Sequence, residues 1–235
     1  MIGSLTACVL TVFPAVVQQP QASISDRASL DRFIYPTAPF RKAPKIVTDS
    51  SDMPEAAPWL DAAKSTVQQW FSPICQLLAS QKYMAPKQIK LVVKKTLEAP
   101  AYTVGDTITV DGAWISTHPN DLGMIVHELT HVIQAYPDGP KPGWLVEGIA
   151  DYVRWWRYEP SPQVPRFGPN ATYHDSYRTT AAFLAWVSEH FDQRIVPAVD
   201  LAMRNGQDPE PLFKQLTGHT EQELWDDMIA HTTRR

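Results

Sequence analysis

Cysteine is almost missing from this chain. Cys8 and Cys75 are the only two among 235 residues, so no disulfide framework is expected, and removal of a leader carrying Cys8 would leave Cys75 without a partner within the chain. Positive charge is also in short supply. The 21 Lys and Arg are outnumbered by 25 Asp and Glu, for a formal charge of −4 and a pI near 6.0, which argues against a nucleic-acid partner. Long apolar runs are lacking as well: the stretch from Ile2 to Val17 is largely apolar but interrupted by Pro14 and shorter than a span, so no membrane crossing is expected. Neither an internal repeat nor a low-complexity tract is present.

What is abundant is bulk and proline. A 44% hydrophobic content with eight Trp, eight Tyr and eight Phe is enough to fill a core without covalent staples. The economical organisation is one catalytic domain over residues 44–235, preceded by an extended segment over 23–43 and a leader over 1–22. The leader reads as a signal peptide or as a plain disordered stretch. Ala15 and Ala22 offer small-residue cleavage positions, yet no Lys or Arg precedes the apolar run. Leu5-Thr6-Ala7-Cys8 resembles a lipoprotein cleavage box with too few residues before it. Export places the protein outside the cytoplasm, secreted or in the cell envelope. The 21 prolines concentrate in residues 14–58 and 137–169, consistent with an extended leader and a rigid loop system.

The chemistry-bearing string is His127-Glu128-Leu129-Thr130-His131. Two imidazoles four residues apart on a helix project from one face and can grip a single metal ion, with Glu128 beside them as a general base. Downstream, the breaker cluster Pro137 to Gly143 forces a turn before a second helical pattern begins at Trp144. That pattern carries Glu147 and Asp151, again four apart. A catalytic zinc takes three protein ligands and keeps one open position. His127, His131 and Glu147 are therefore assigned to Zn2+, and Asp151 to the outer N–H of a ligand histidine. His118, His174, His190 and His219, taken singly, read as hydrogen-bonding or solvated residues rather than ligands. The aromatic run Trp155, Trp156 and Tyr158 reads as core plus surface rather than a sugar platform.

The run from Gly123 to His131, followed by Gly143-Trp144-Leu145-Val146-Glu147-Gly148-Ile149-Ala150-Asp151-Tyr152-Val153-Arg154, resembles the plant basic secretory protein family, a group of zincin-type peptidases with bacterial and fungal members. Its Glu-x-x-x-Asp spacing also resembles that of thermolysin-like gluzincins, in which the Glu binds zinc and the Asp supports a histidine. The likeness spans roughly residues 44–232. One departure is charge, since this chain is not basic. The resemblance also singles out Tyr177-Arg178-Thr179-Thr180-Ala181-Ala182-Phe183, which matches a family segment at Tyr177, Thr180 and Phe183 but has Arg178 and Ala182 where the family has Asp and Arg.

Around these motifs the patterns predict an α+β scaffold: a zincin-like small mixed sheet packed on the metal helix, then a mainly helical C-terminal half. Residues 54–81 carry a broad apolar stripe at helical spacing, bent at Pro73. Strands are expected at 89–94, 107–110 and 113–116, separated by turn signals at Gly105-Asp106 and Asp111-Gly112. Pro119 and Asp121 are expected to open the metal helix. Further helices are predicted over 176–190, 192–204, 209–216 and 220–231, with Gly206 and Gly218 as stops.

The expected reaction is peptide-bond hydrolysis by a monomer acting on a peptide or protein substrate. Glu128 moves the proton, and Tyr177, with Tyr173 and His174 as rivals, donates to the oxyanion. The strand at 113–116 would lie at the rim of the cleft, where it could take an extended substrate by strand addition or be a covered edge. Two alternatives stay open: a zinc amidase of another bond, and a non-catalytic secreted defence or wall-associated protein.

Overall fold

The computed structural model describes residues 41–78, 83–159, 164–175 and 177–232. The expected leader over 1–22 and nearly all of the 23–43 segment lie outside the described residues. Among those described, a mixed four-stranded sheet is combined with eight α-helices. The strands are β1 (Lys45–Asp49), β2 (Gln88–Lys94), β3 (Ala101–Val104) and β4 (Thr107–Asp111), in the order β1-β2-β4-β3. β1 and β4 run parallel to β2, and β3 runs antiparallel to β4 at the edge. No described helix is long and apolar enough to cross a membrane.

Helix α1 (Ala57–Leu78), entered through a 3-10 turn at Pro54–Ala56, buries Leu60, Ala63, Val67, Phe71, Ile74 and Leu78 along one stripe. It stays helical through Pro73 and ends at Leu78. α1 packs on β1 and β2, while the metal-motif helix α3 (Gly123–Gln134) packs on β3 and β4, and the two helices pack on each other. This explains why eleven of the twelve residues of α3 are buried: the helix has neighbours on nearly every side.

The third strand expected at 113–116 is absent. Residues 112–117 form the short helix α2 (Gly112–Thr117). The Asp111 carboxylate accepts the N–H groups of Ala113 (3.2 Å) and Trp114 (3.1 Å), an N-cap that converts an apparent turn signal into a helix start. Gly112 is required there, because a Cβ would press on the Lys94 carbonyl oxygen at 2.9 Å. Two strands went unanticipated, β1 and the edge strand β3. Pro119 stands outside α3 and lends its carbonyl to Trp59 Nε1 (3.0 Å), whereas Asp121 does serve the helix start, accepting the Met124 N–H at 3.2 Å.

α4 (Gly143–Tyr152) runs straight into a π-helical turn over Val153–Tyr158. The remaining helices are α5 (Tyr177–His190), α6 (Ile195–Arg204), α7 (Pro211–Thr217) and α8 (Glu221–Thr232), each within a few residues of its predicted span. Gly206 (φ 69°) and Gly218 (φ 82°) follow α6 and α7 in the left-handed conformation that suits glycine at a helix end.

Candidate metal centre and cleft

The ligand helix α3 and the following α4 meet so that three side chains converge. His127 Nε2 and His131 Nε2 lie 3.1 Å apart, and Glu147 Oε2 lies 3.3 Å from the first and 3.4 Å from the second. Two ligands each about 2.0–2.1 Å from a tetrahedral zinc stand roughly 3.3 Å from one another, so the spacing suits such an ion. Among the described residues this is the group of His, Cys, Asp and Glu side chains that could hold a metal.

The outer nitrogens explain the orientation. His127 Nδ1 is 2.8 Å from Asp151 Oδ1, and His131 Nδ1 is 2.7 Å from Gln134 Oε1. Asp151 is an acceptor, and Gln134 uses its amide nitrogen on the Val146 carbonyl (3.0 Å), so its oxygen faces His131. Both imidazoles therefore donate from Nδ1, which leaves bare lone pairs on both Nε2 atoms. Two lone pairs and a carboxylate oxygen in mutual contact demand a positive charge between them, and a divalent cation fits the donor set. Without one, a proton takes that role. Burial disfavours the His127 imidazolium, but its hydrogen bonds to Asp151 and Glu147 prevail and push its pKa up to about 9. Burial likewise opposes a charged Glu147, yet the two histidines pull its pKa down to about 2.

Glu128 is 6% exposed. Thr103 Oγ1, on the edge strand β3, lies 2.7 Å from Glu128 Oε2 and 3.1 Å from the Glu128 carbonyl. Thr103 and Gln134 are the site residues that sequence reasoning missed. The first sits on an unanticipated strand; the second follows His131 by one helical turn, a spacing that could have flagged it.

These groups line an open cleft of about 1050 Å³, together with Tyr102, Trp155, Tyr177 and Arg178. The Tyr177 ring stacks on that of His127 at 6.2 Å between centroids. Its backbone is left-handed (φ 48°), an uncommon conformation for a bulky residue, at the point where α5 begins. The negative charge of Glu147 raises the pKa of the Tyr177 phenol, with burial adding to the effect. Neither rival is in the cleft lining. Tyr173 packs against Trp144 (5.3 Å) and Phe183 (5.5 Å), and His174 is exposed.

Of the aromatic run after α4, Trp156 and Tyr158 pack against the core while Trp155 faces the cleft. The rim is braced by Asp121, which accepts from Trp114 Nε1 (3.1 Å) and pairs with Arg154 (2.6 Å). Asp121 thereby joins α2, the start of α3 and the π turn. Since residues 113–116 are helical, the strand bordering the cleft is β3, whose Ala101, Tyr102 and Thr103 are part of its lining.

A family model described as BSP, peptidase of plants and bacteria, matches residues 43–228 of this chain. No curated protein and no solved structure matches it.

Proposed function

The chain belongs to the basic secretory protein family, the peptidases of plants and bacteria, and from that premise we propose that it is a zinc-dependent metallopeptidase of the zincin type with Glu128 as general base. The observation that carries this reading is the convergence of His127 Nε2, His131 Nε2 and Glu147 Oε2 at 3.1–3.4 Å beside a buried Glu128 in an open cleft. His127, His131 and Glu147 would hold the zinc, which would supply Lewis acidity toward a peptide carbonyl and a water that is nucleophilic near neutral pH.

The remaining work falls to side chains of the protein. Asp151 and Gln134 fix the two rings through their Nδ1 protons, so the Nε2 lone pairs stay aimed at the ion. Glu128, oriented by Thr103, removes the proton from the attacking water at its carboxylate and returns it to the departing amine nitrogen. The Tyr177 phenol donates to the carbonyl oxygen as negative charge builds on it. β3, at one edge of the sheet and in the cleft lining, would take an extended substrate strand, the role expected from sequence of residues 113–116. Residues 44–235 would make up the catalytic domain, exported by the preceding leader.

The test is Glu128→Gln. This variant should bind zinc one to one, like the wild type, while losing at least roughly a hundredfold in kcat on an unfolded protein substrate. Unchanged turnover would remove Glu128 from the mechanism. If His131→Ala still holds stoichiometric zinc, the ligand set is wrong.

A further inference from the structure

Among the described residues, Arg178 is a cation of the cleft lining without an anion. It is the second residue of α5, and its guanidinium carbon lies 4.0 Å from the centroid of the Trp155 ring, in the cleft lining beside Tyr177. Arg154 approaches the same ring at 4.5 Å, but its charge is matched by Asp121 at 2.6 Å. Lys141, the third cation of the lining, lies 3.8 Å from Asp138 and donates to the Pro137 carbonyl. No described carboxylate comes within ion-pairing distance of Arg178, and its N–H groups meet no acceptor among the described residues.

Local forces do not favour this placement. The first turn of a helix is its positive end, where an acidic side chain is favoured and an arginine is not. The contact with the Trp155 ring uses none of the guanidinium's N–H donors, which can therefore receive a carboxylate through two parallel bonds. The carboxylates of the lining already have partners, Asp121 in Arg154, Glu147 and Asp151 in His127, and Glu128 in Thr103, so Arg178 is the cation that the described residues leave for an incoming anion.

We propose that Arg178, braced on Trp155, is a carboxylate-binding subsite, so that the enzyme selects peptides bearing a carboxylate within reach of the bond to be cut. The inference rests on the metallopeptidase reading above. The carboxylate could belong to an Asp or Glu side chain or to the C-terminus of the substrate, and the same contact would serve either.

The experiment uses the zinc-loaded full chain and three versions of one peptide: internal Glu with an amidated C-terminus, internal Gln with an amidated C-terminus, and internal Gln with a free C-terminus. In the wild type, kcat/KM should favour a carboxylate-bearing peptide over the neutral one by about ten- to a hundredfold, the range for a hydrogen bond to a charged group. The arm carrying the advantage identifies the source, side chain or C-terminus. Arg178→Gln should bring the ratio close to one, Arg178→Lys should keep part of it, and Arg178→Glu should turn the preference toward a Lys-bearing peptide. A ratio near one in the wild type, or a ratio that survives Arg178→Gln with Arg178→Lys no different, overturns the proposal. If the wild type cleaves none of the peptides, the peptidase reading fails by itself. Calorimetric titration of the same peptides into Glu128→Gln protein, with and without Arg178→Gln, then decides the subsite: tighter binding of a carboxylate peptide that depends on Arg178 supports it, and equal affinities overturn it.

Discussion

Two neutral imidazoles and a carboxylate oxygen cannot rest 3.1–3.4 Å apart on lone pairs alone, and this gives the metal-free protein a definite pH dependence. His127 rises from 6.5 to about 9 in the folded state. Its contribution to stability is therefore complete below about pH 6.5 and is lost as the pH climbs through 9. Glu147 moves the other way, from 4.5 to about 2, so its contribution is present above 4.5 and lost as the pH falls through 2. Between 4.5 and 6.5 both operate. Zinc held as proposed would displace the His127 proton, so the melting temperature of chelator-treated protein should fall from pH 6.5 to 9 while that of the zinc-loaded protein falls less, and loading at pH 7 should release protons. Thermal melts across that range, with zinc titrations in buffers of different ionisation heat, check it. A metal-free melting temperature that stays level up to pH 9 would contradict the charge assignment.

At the scale of elements, the cleft depends on how closely α4 and α5 approach. α4 carries Glu147 and Asp151, α5 opens with Tyr177 and Arg178, and the two helices touch through Gly148 against Thr180. A methyl at Gly148 would collide with the Thr180 Cγ2 and Cβ atoms. Thr180 is fully buried and its Oγ1 donates to the Tyr173 carbonyl at 2.8 Å, so it has little room to turn. Gly148→Ala should cost about 1–3 kcal/mol through overpacking. Adding Thr180→Ser, which deletes the nearer of the two obstructing atoms and keeps the hydroxyl, should recover part of the loss. Urea unfolding of the single and double variants measures both, and strictly additive effects would show that the helices separate elsewhere.

Over the whole molecule, the end of the metal helix is secured by a group more than sixty residues away. Asp200 on α6 is 0% exposed; it accepts from the Tyr136 hydroxyl at 2.5 Å and pairs with Arg204 at 3.2 Å. Arg204 also donates to the carbonyls of Ile133 (3.0 Å) and Gln134 (3.1 Å), the last residues of α3. The helix terminus that positions His131 through Gln134 is thus held by α6. Arg204→Met should destabilise the protein by about 3–5 kcal/mol, because it strands a buried carboxylate. Asp200→Asn in the same chain should restore a large part, since the amide still accepts from Tyr136 without carrying charge. Denaturant unfolding of zinc-free protein gives the comparison, and a double variant no better than the single one would refute the account.

That His127 and His131 share a face, as do Glu147 and Asp151, was legible in the linear sequence because the members of each pair lie one helical turn apart. The α+β content and the four C-terminal helices were legible for the same local reason, in apolar spacing and glycine stops. Residues 113–116 read as a strand because alternation in a short segment suits strand or helix, and the Asp111 carboxylate capping Ala113 and Trp114 decides for the helix. Strand β3 is too short to announce itself, so Thr103 could not be placed beside Glu128 before the sheet order was known. Tyr177 over His127, Arg178 over Trp155 and Arg204 at the end of α3 lie even further from sequence reasoning. Their partners are 23 to 71 positions away, and such contacts arise only when packed helices exclude water and bring together side chains that no local pattern relates.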